Sequence, residues 1–279
     1  MIGTSIVVVT WNCAAFIKRF VRELEASLRS AGAYEVLIFD NASSDGTVDL
    51  LEGKLPEGFR LVRSSENLGF AGGNNVLLRQ LRFDHVVLLN PDIFDYPENF
   101  WKNVEAARLR ERADVVFVRL CNVDGSFQDC VGDFPTPGRA LALLLGQRKD
   151  WSQVMRPTCV EVGIMAFLFT TRECLETVGL INEDFHMYCE DVEWCWRAAR
   201  AGKVIVYLPE LSLTHIGGAS ASKRWDDTEK RTVKLQSELL FVRKHYNGCL
   251  KVAAIAVTWV KLGMNAVMQI FNRNRKKRA

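Results

Sequence analysis

Asp92 closes the stretch His85-Val-Val-Leu-Leu-Asn90-Pro91-Asp92, and Glu190 and Asp191 open an acidic run that ends at Arg197. Proline has no amide hydrogen for a sheet ladder, so the apolar run before Asp92 ends as a strand there. A carboxylate at the C-terminal edge of a parallel sheet stands where open α/β folds hold ligands, the plain alternative being a turn cap. Glu190 and Asp191 follow an aromatic loop, and such a pair can hold a general base near a bound hydroxyl. Acids in the first turn of a helix also match its dipole, the ordinary explanation. Asp40 begins the polar loop Asp40-Asn41-Ala42-Ser43-Ser44-Asp45-Gly46-Thr47. It could accept hydrogen bonds from a base or a ribose hydroxyl, or the loop could simply cap a helix. The loop superficially resembles a calcium loop, but Ala42 and Ser44 occupy positions that should bear ligands and the glycine is misplaced. Gly69, Gly72 and Gly73 let backbone approach a ligand closely. Asn74 and Asn75 beside them can cap a helix or present amides to a base or phosphate. This stretch is neither a GxGxxG turn nor a P-loop. His215 stands alone, and a lone histidine is more often structural than a ligand.

These side chains need a scaffold, and the patterning supplies one. Residues 5–10 and 34–39 are apolar strands, joined by a helix whose Phe16, Ile17, Phe20, Val21, Leu24 and Leu28 recur at helical spacing, with Gly32 as its stop. Strand, helix and strand of this length predict a parallel βαβ unit with a right-handed crossover. A short helix at 48–51, a strand at 60–63 and a helix ending near 82 follow. The pattern predicts a helix over 97–112, a strand over 114–118 and one strand over 160–169. It then predicts helices over 172–178 and 190–201 and a last strand over 203–208, with His215 beyond it. Residues 121–158 carry little signal apart from a loop at 134–138 and an apolar helix at 139–145.

The chain has 279 residues, 48% hydrophobic and 25% charged, which is a folded globular composition. Arg273, Arg275, Lys276, Lys277 and Arg278 outweigh the whole net charge of +3, so the body has no bias toward nucleic acid. The eight cysteines form no CxxC pair, and the N-terminus lacks a signal-peptide pattern. Both features lead us to expect a cytosolic protein with reduced thiols.

Thr10-Trp11-Asn12, Asp40 to Gly46, Leu89-Asn90-Pro91-Asp92, and Met187-Tyr188-Cys189-Glu190-Asp191 with His215 beyond follow one another in a recurring order. Over residues 3–220 the chain resembles the family 2 inverting glycosyltransferases, in particular bacterial rhamnosyltransferases that build cell-surface polysaccharide. Each motif is weak alone and the set is specific. The resemblance implies an α/β GT-A fold: a Rossmann-like, mostly parallel sheet with flanking helices, here followed by C-terminal helices. It places Asp40 on the base or ribose, with Thr10, Asn12, Asn41, Gly69, Phe70, Gly73, Asn74 and Asn75 around the nucleotide. Asn90-Pro91-Asp92 takes the place of an Asp-x-Asp motif, with Asn90 beside the donor and Asp92 on a divalent metal, Mg²⁺ or Mn²⁺. His215 completes that metal site. Asp191 is the base for the acceptor hydroxyl, and Glu190 holds the loop or a donor hydroxyl. Met165-Ala166-Phe167 departs from the family's usual Gly-Ala, and Glu193 stands where Asp is usual.

We therefore expect a glycosyltransferase domain over 1–225 and a helical, membrane-associating extension over 226–279. In residues 252–271, Lys261, Asn265 and Gln269 fall four apart and form one polar stripe, which suits a helix lying in a membrane interface with the basic tail on anionic headgroups. Packing on the body or in a homodimer is the alternative. The expected activity is transfer of rhamnose from dTDP-rhamnose to a lipid-linked glycan, at the inner face of a bacterial cytoplasmic membrane. Alternatives are another hexose from a UDP- or GDP-sugar, or a non-catalytic nucleotide-sugar-binding subunit of a glycan assembly complex.

Overall fold

A computed structural model describes residues 3–29, 31–147, 149–185, 187–217 and 227–276, with 143, 144, 227, 228 and 267–276 described by backbone alone. The chain begins with alternating strands and helices: β1 (Thr4–Thr10), α1 (Ile17–Leu28), β2 (Tyr34–Asp40), α2 (Thr47–Leu51), β3 (Phe59–Arg63), α3 (Gly69–Leu78) and β4 (His85–Leu89). It continues through β5 (Ile93–Phe94), α4 (Phe100–Glu111), β6 (Val115–Cys121), β7 (Val131–Gly132) and α5 (Pro137–Leu144). Then come β8 (Thr158–Cys159), β9 (Val162–Gly163), β10 (Phe167–Thr171), α6 (Arg172–Val178), α7 (Glu190–Arg200), β11 (Ile205–His215), α8 (Asp227–His245) and α9 (Gly248–Lys276).

The main sheet runs in the order β3-β2-β1-β4-β10-β6-β11-β5, with β8 also on β11. β1 lies parallel to β2 in unbroken register, so Thr10 and Asp40 end in the same row. Ile6, Val7, Val8, Val86 and Val87 are wholly buried, as strands covered on both faces require. β10 runs antiparallel to both β4 and β6, which makes the sheet mixed.

Three elements differ from the sequence expectation. Residues 160–169 are not one strand. Gly163 lies against Phe117, where an added Cβ would come within 2.2 Å of the ring, and β9 pairs with β7 in a separate small sheet. An apolar run cannot reveal that its middle has left the main sheet. The last strand does not stop at 208 but runs through Pro209 to His215. The register on β6 skips between Leu208 and Ser212, so the proline's missing amide falls where no ladder bond is needed. The glycines after residue 68 lie inside α3, and the helix ends at Leu78, short of 82. Gly73 lets α3 rest on the sheet, since an added Cβ would meet Val9 and Phe39 at 3.0 Å.

The chain divides into two compact units. One comprises Met1–Gly132, Asp150–His186 and Glu190–Gly217, and the other Asp133–Lys149, Met187–Cys189 and Gly218–Ala279. In the second, α8 and α9 form a hairpin. The expected polar stripe turns onto α8: Lys261 Nζ pairs with Glu238 Oε1 at 2.6 Å, and Asn265 Nδ2 donates to Thr232 Oγ1 at 2.9 Å. The side chain of Gln269, residue 226 and the end of the basic tail lie outside what is described. Val252, Trp259, Val260 and Met264 are left exposed.

Candidate active site

Most of the singled-out side chains in the first unit stand at the C-terminal ends of its strands. On the β1–β2 side they form a closed network. The Asp40 carboxylate is 1% exposed and accepts from the Thr10 hydroxyl at 3.1 Å and the Ser43 amide at 3.0 Å. Asn12 Oδ1 accepts from the Ser44 amide, and Asn12 N–H donates to Ser43 Oγ. Asn41 brackets the entry of α3, accepting from Leu68 N–H at 2.7 Å and donating to Gly69 O at 3.1 Å. Gly69 enters the helix at φ +72°, a conformation open to glycine. Asn74 donates to Phe70 O, and Asn75 exchanges hydrogen bonds with both backbone groups of Ile181 and donates to Glu183 at 2.7 Å. Of this group, Asn12, Gly69 and Phe70 keep partial exposure.

At the other end of the site, Asn90 N–H is bound to Ala166 O, which fixes the turn after β4. The turn carries Asp92 to the end of β11, where Ile93 pairs with His215. Ile216 N–H donates to Asp92 O at 3.1 Å, and Gly217 N–H donates to Asp92 Oδ2 at 3.2 Å. Asp92 Oδ1 then faces His215 Nε2 at 3.3 Å, both residues being buried. Gln128 Oε1 lies 2.6 Å from His215 Nδ1. Gln128 comes from the loop between β6 and β7, 87 positions away, and nothing in the sequence singles it out. Asp92 and His215, far apart in the chain, are thus adjacent. Among the described residues no group of three or more His, Cys, Asp or Glu side chains is placed to hold a metal ion. The pair offers one carboxylate oxygen and one imidazole nitrogen, a donor set suited to Mg²⁺ or Mn²⁺ with the remaining positions left for water or phosphate oxygens.

Glu190 and Asp191 open α7, which is tied down by Glu193 and Arg197. Glu193 is 2% exposed, and Arg197 binds it while also donating to the carbonyls of Val178 and Leu180. Trp194 Nε1 donates to Gly179 O at 2.9 Å. Tyr188 and Cys189 precede the helix with φ of 65° each, a left-handed pair unusual outside glycine. Glu190 Oε2 is shut away from solvent with no hydrogen-bond partner. Burial, and then the charge of Asp191, push the Glu190 carboxyl up to about 8. The shift favours the protonated form of Glu190, and on adjacent helical positions the two carboxyls point about 100° apart.

Comparison with solved structures defines the class. A mannosyltransferase from Pyrobaculum calidifontis, in complex with GDP-Man and Mn²⁺, superposes with a TM-score of 0.62 at 17% identity, covering 95% of this chain and 73% of that one. The fold is GT-A. The model of Glycosyl transferase family 2 matches residues 5–164, and the chain belongs to that family. It is a glycosyltransferase that uses nucleotide sugars. An N-acetylglucosaminyl-diphospho-decaprenol L-rhamnosyltransferase of Mycobacterium tuberculosis is 26% identical over 265 residues, 87% of this chain and 85% of that protein. The low-salt glycan biosynthesis hexosyltransferase Agl10 of Haloferax volcanii is 26% identical over 203 residues, 70% of this chain and 61% of that protein.

Proposed function

We propose that the protein transfers rhamnose from dTDP-rhamnose, with inversion, to a lipid-linked cell-surface glycan. The meeting of Asp92 and His215 at 3.3 Å carries this reading. A divalent cation bound there would neutralise charge on the diphosphate leaving group. Asp191 takes the proton of the acceptor hydroxyl, and the protonated Glu190 beside it donates a hydrogen bond to a sugar hydroxyl or to the loop. On the donor side, Asn12, Gly69 and Phe70 touch the nucleotide, with Asn90 beside the diphosphate. Thr10, Asp40, Asn41, Gly73, Asn74 and Asn75 hold that surface in shape. The mycobacterial relative's name supports rhamnose and a polyprenyl-diphosphate acceptor. The haloarchaeal relative's name favours a second reading, another hexose from a UDP- or GDP-sugar. The presence of Asp92, Asp191 and His215 together speaks against a non-catalytic subunit. A screen of nucleotide sugars scored by released nucleoside diphosphate decides among these. dTDP-rhamnose should turn over fastest, and preference for a UDP- or GDP-hexose would replace it.

In this reading residues 1–225 perform transfer and 226–279 hold the enzyme at the inner face of the cytoplasmic membrane. Gly248–Ala266 is long and apolar enough to cross a membrane, with a mean hydropathy of 1.3. Its Lys261 is engaged with Glu238, however, and the face carrying Trp259, Val260 and Met264 lies open, so the helix suits lying on the bilayer. Deleting residues 252–279, or changing Val260→Glu, should shift the protein to the soluble fraction with donor affinity unchanged. Pelleting of both variants with membranes would place the anchor elsewhere, and a concentration-dependent dimer lost in Val260→Glu would assign the face to a second copy.

A further inference from the structure

The loop between β6 and β7 contributes more than one contact to the Asp92–His215 pair. We propose that Asp124, Ser126, Asn122 and Gln128 form a hydrogen-bond relay of fixed direction that holds the His215 proton on Nδ1 and turns the Nε2 lone pair toward Asp92. Amide oxygens and nitrogens are told apart by the network they join, and here the network has a fixed end. Asp124 Oδ1 accepts from the Ser126 hydroxyl at 2.6 Å and from the Ser126 amide at 2.9 Å. Those bonds, the hydroxyl's first, hold the Asp124 carboxyl below its usual range, and an ionised carboxylate can only accept. Having given its single proton, Ser126 Oγ accepts from Asn122 Nδ2 at 2.9 Å. That leaves Asn122 Oδ1 to accept from Gln128 Nε2 at 3.2 Å. Gln128 Oε1 therefore faces His215 Nδ1 at 2.6 Å, and the proton between them is the ring's.

The consequence lies on the far side of the imidazole. In the neutral ring Nε2 has no proton, so two acceptors, Nε2 and Asp92 Oδ1, confront each other across 3.3 Å. Such an arrangement is satisfied by a second ring proton, which makes an imidazolium, or by a metal cation that both can bind. Gly217 closes the arrangement: its amide holds Asp92 Oδ2, and an added Cβ would meet Gln128 Nε2 at 2.6 Å. Gln128 is thus a positioning residue, acting through His215, and the inference rests on the metal reading given above.

The test uses the full chain and Mn²⁺ alone, with no donor. Nitrogen-15 NMR of His215 reports which ring nitrogen carries the proton, and electron paramagnetic resonance titration gives the Mn²⁺ dissociation constant. Gln128→Met should let the proton move to Nε2 and weaken Mn²⁺ by about 10- to 100-fold, the usual range for loss of an outer-shell partner. Gln128→Glu keeps an acceptor for Nδ1–H and should restore both the tautomer and most of the affinity. Asn122→Ala, one step further out, should cause a smaller fall, and it decides the matter if Gln128→Met fails to fold. Unchanged tautomer and affinity in Gln128→Met and Asn122→Ala would overturn the relay. A wild-type protein that binds no Mn²⁺ would instead sink the metal reading, while the NMR result still judges the relay.

Discussion

Two groups of polar side chains stand at the strand ends of one sheet, and they differ in what is left over once the protein has satisfied them. Around β1, β2 and α3, Asp40, Asn41, Asn74 and Asn75 are at most 3% exposed and spend their hydrogen bonds within the chain. Around β4, β11 and α7, Asp92 Oδ1 faces His215 Nε2 at 3.3 Å, and the buried Glu190 Oε2 has no partner. Buried polar groups in folded proteins are nearly always paired, and each exception calls for an explanation. We propose that the first group acts mainly as framework and that the second is where a ligand binds. Both contain the residue types that do chemistry, so type alone does not separate them.

The sharpest way to break this distinction is at its unsatisfied end. Asp92→Ala should abolish transfer while leaving thermal unfolding nearly unchanged, and EDTA should inhibit the wild type in a way that Mg²⁺ or Mn²⁺ reverses. Full activity of purified enzyme in EDTA would remove the metal from the mechanism. Asp191→Asn keeps the shape of the side chain but leaves a poor base, so turnover should fall by on the order of 10² to 10⁴ with the donor dissociation constant little changed. Near-normal turnover in that variant, together with a dead Glu190→Gln, would transfer the role to Glu190.

At the satisfied end the expected loss is in stability. Asn75→Ala strands both backbone groups of Ile181 in a buried place and should cost about 2–3 kcal/mol by denaturant unfolding. Donor affinity should survive in the folded fraction. Weakened donor binding with stability intact would move Asn75 to the ligand side of the comparison. A pH-dependent effect on stability is expected at Glu190→Gln. The Glu190 carboxyl is raised from 4.5 to about 8 in the folded protein, so the unfolded chain ionises first and stability drains away as pH climbs through that window. The glutamine variant escapes this loss. Its melting temperature should match the wild type near pH 4.5 and exceed it by a margin that grows as pH rises toward 8. A pH-independent difference would mean that Glu190 is not shut away from water.

Elements whose burial is periodic along the chain were legible. Residues 5–10 and 190–201 anticipate Thr4–Thr10 and Glu190–Arg200 within a residue, because an apolar run or an amphipathic stripe with a terminal glycine specifies them locally. The closeness of Asp92 and His215 came from the family resemblance, since no local pattern relates residues 123 positions apart. Gln128 was invisible, being one polar residue in a loop without periodicity. The polar stripe of α9 was legible in spacing but not in direction. Whether Lys261 and Asn265 look outward depends on whether Glu238 and Thr232 of another helix stand opposite. The continuation of the last strand past 208 was not legible, because the shift in register that accommodates Pro209 shows only against the neighbouring strand.

The position of β10 bears on how the protein is made. β4 pairs with β1 on one edge and with β10 on the other, yet about eighty residues of chain separate them. During synthesis the first four strands can assemble as they leave the ribosome, and the row Val86–Leu89 then waits with an open, wholly apolar edge until residue 171 has been made. Open apolar edges recruit strands from other chains. High expression of this protein should therefore depend on chaperone supply, and fragments ending before residue 167 should collect in inclusion bodies while the full chain escapes them.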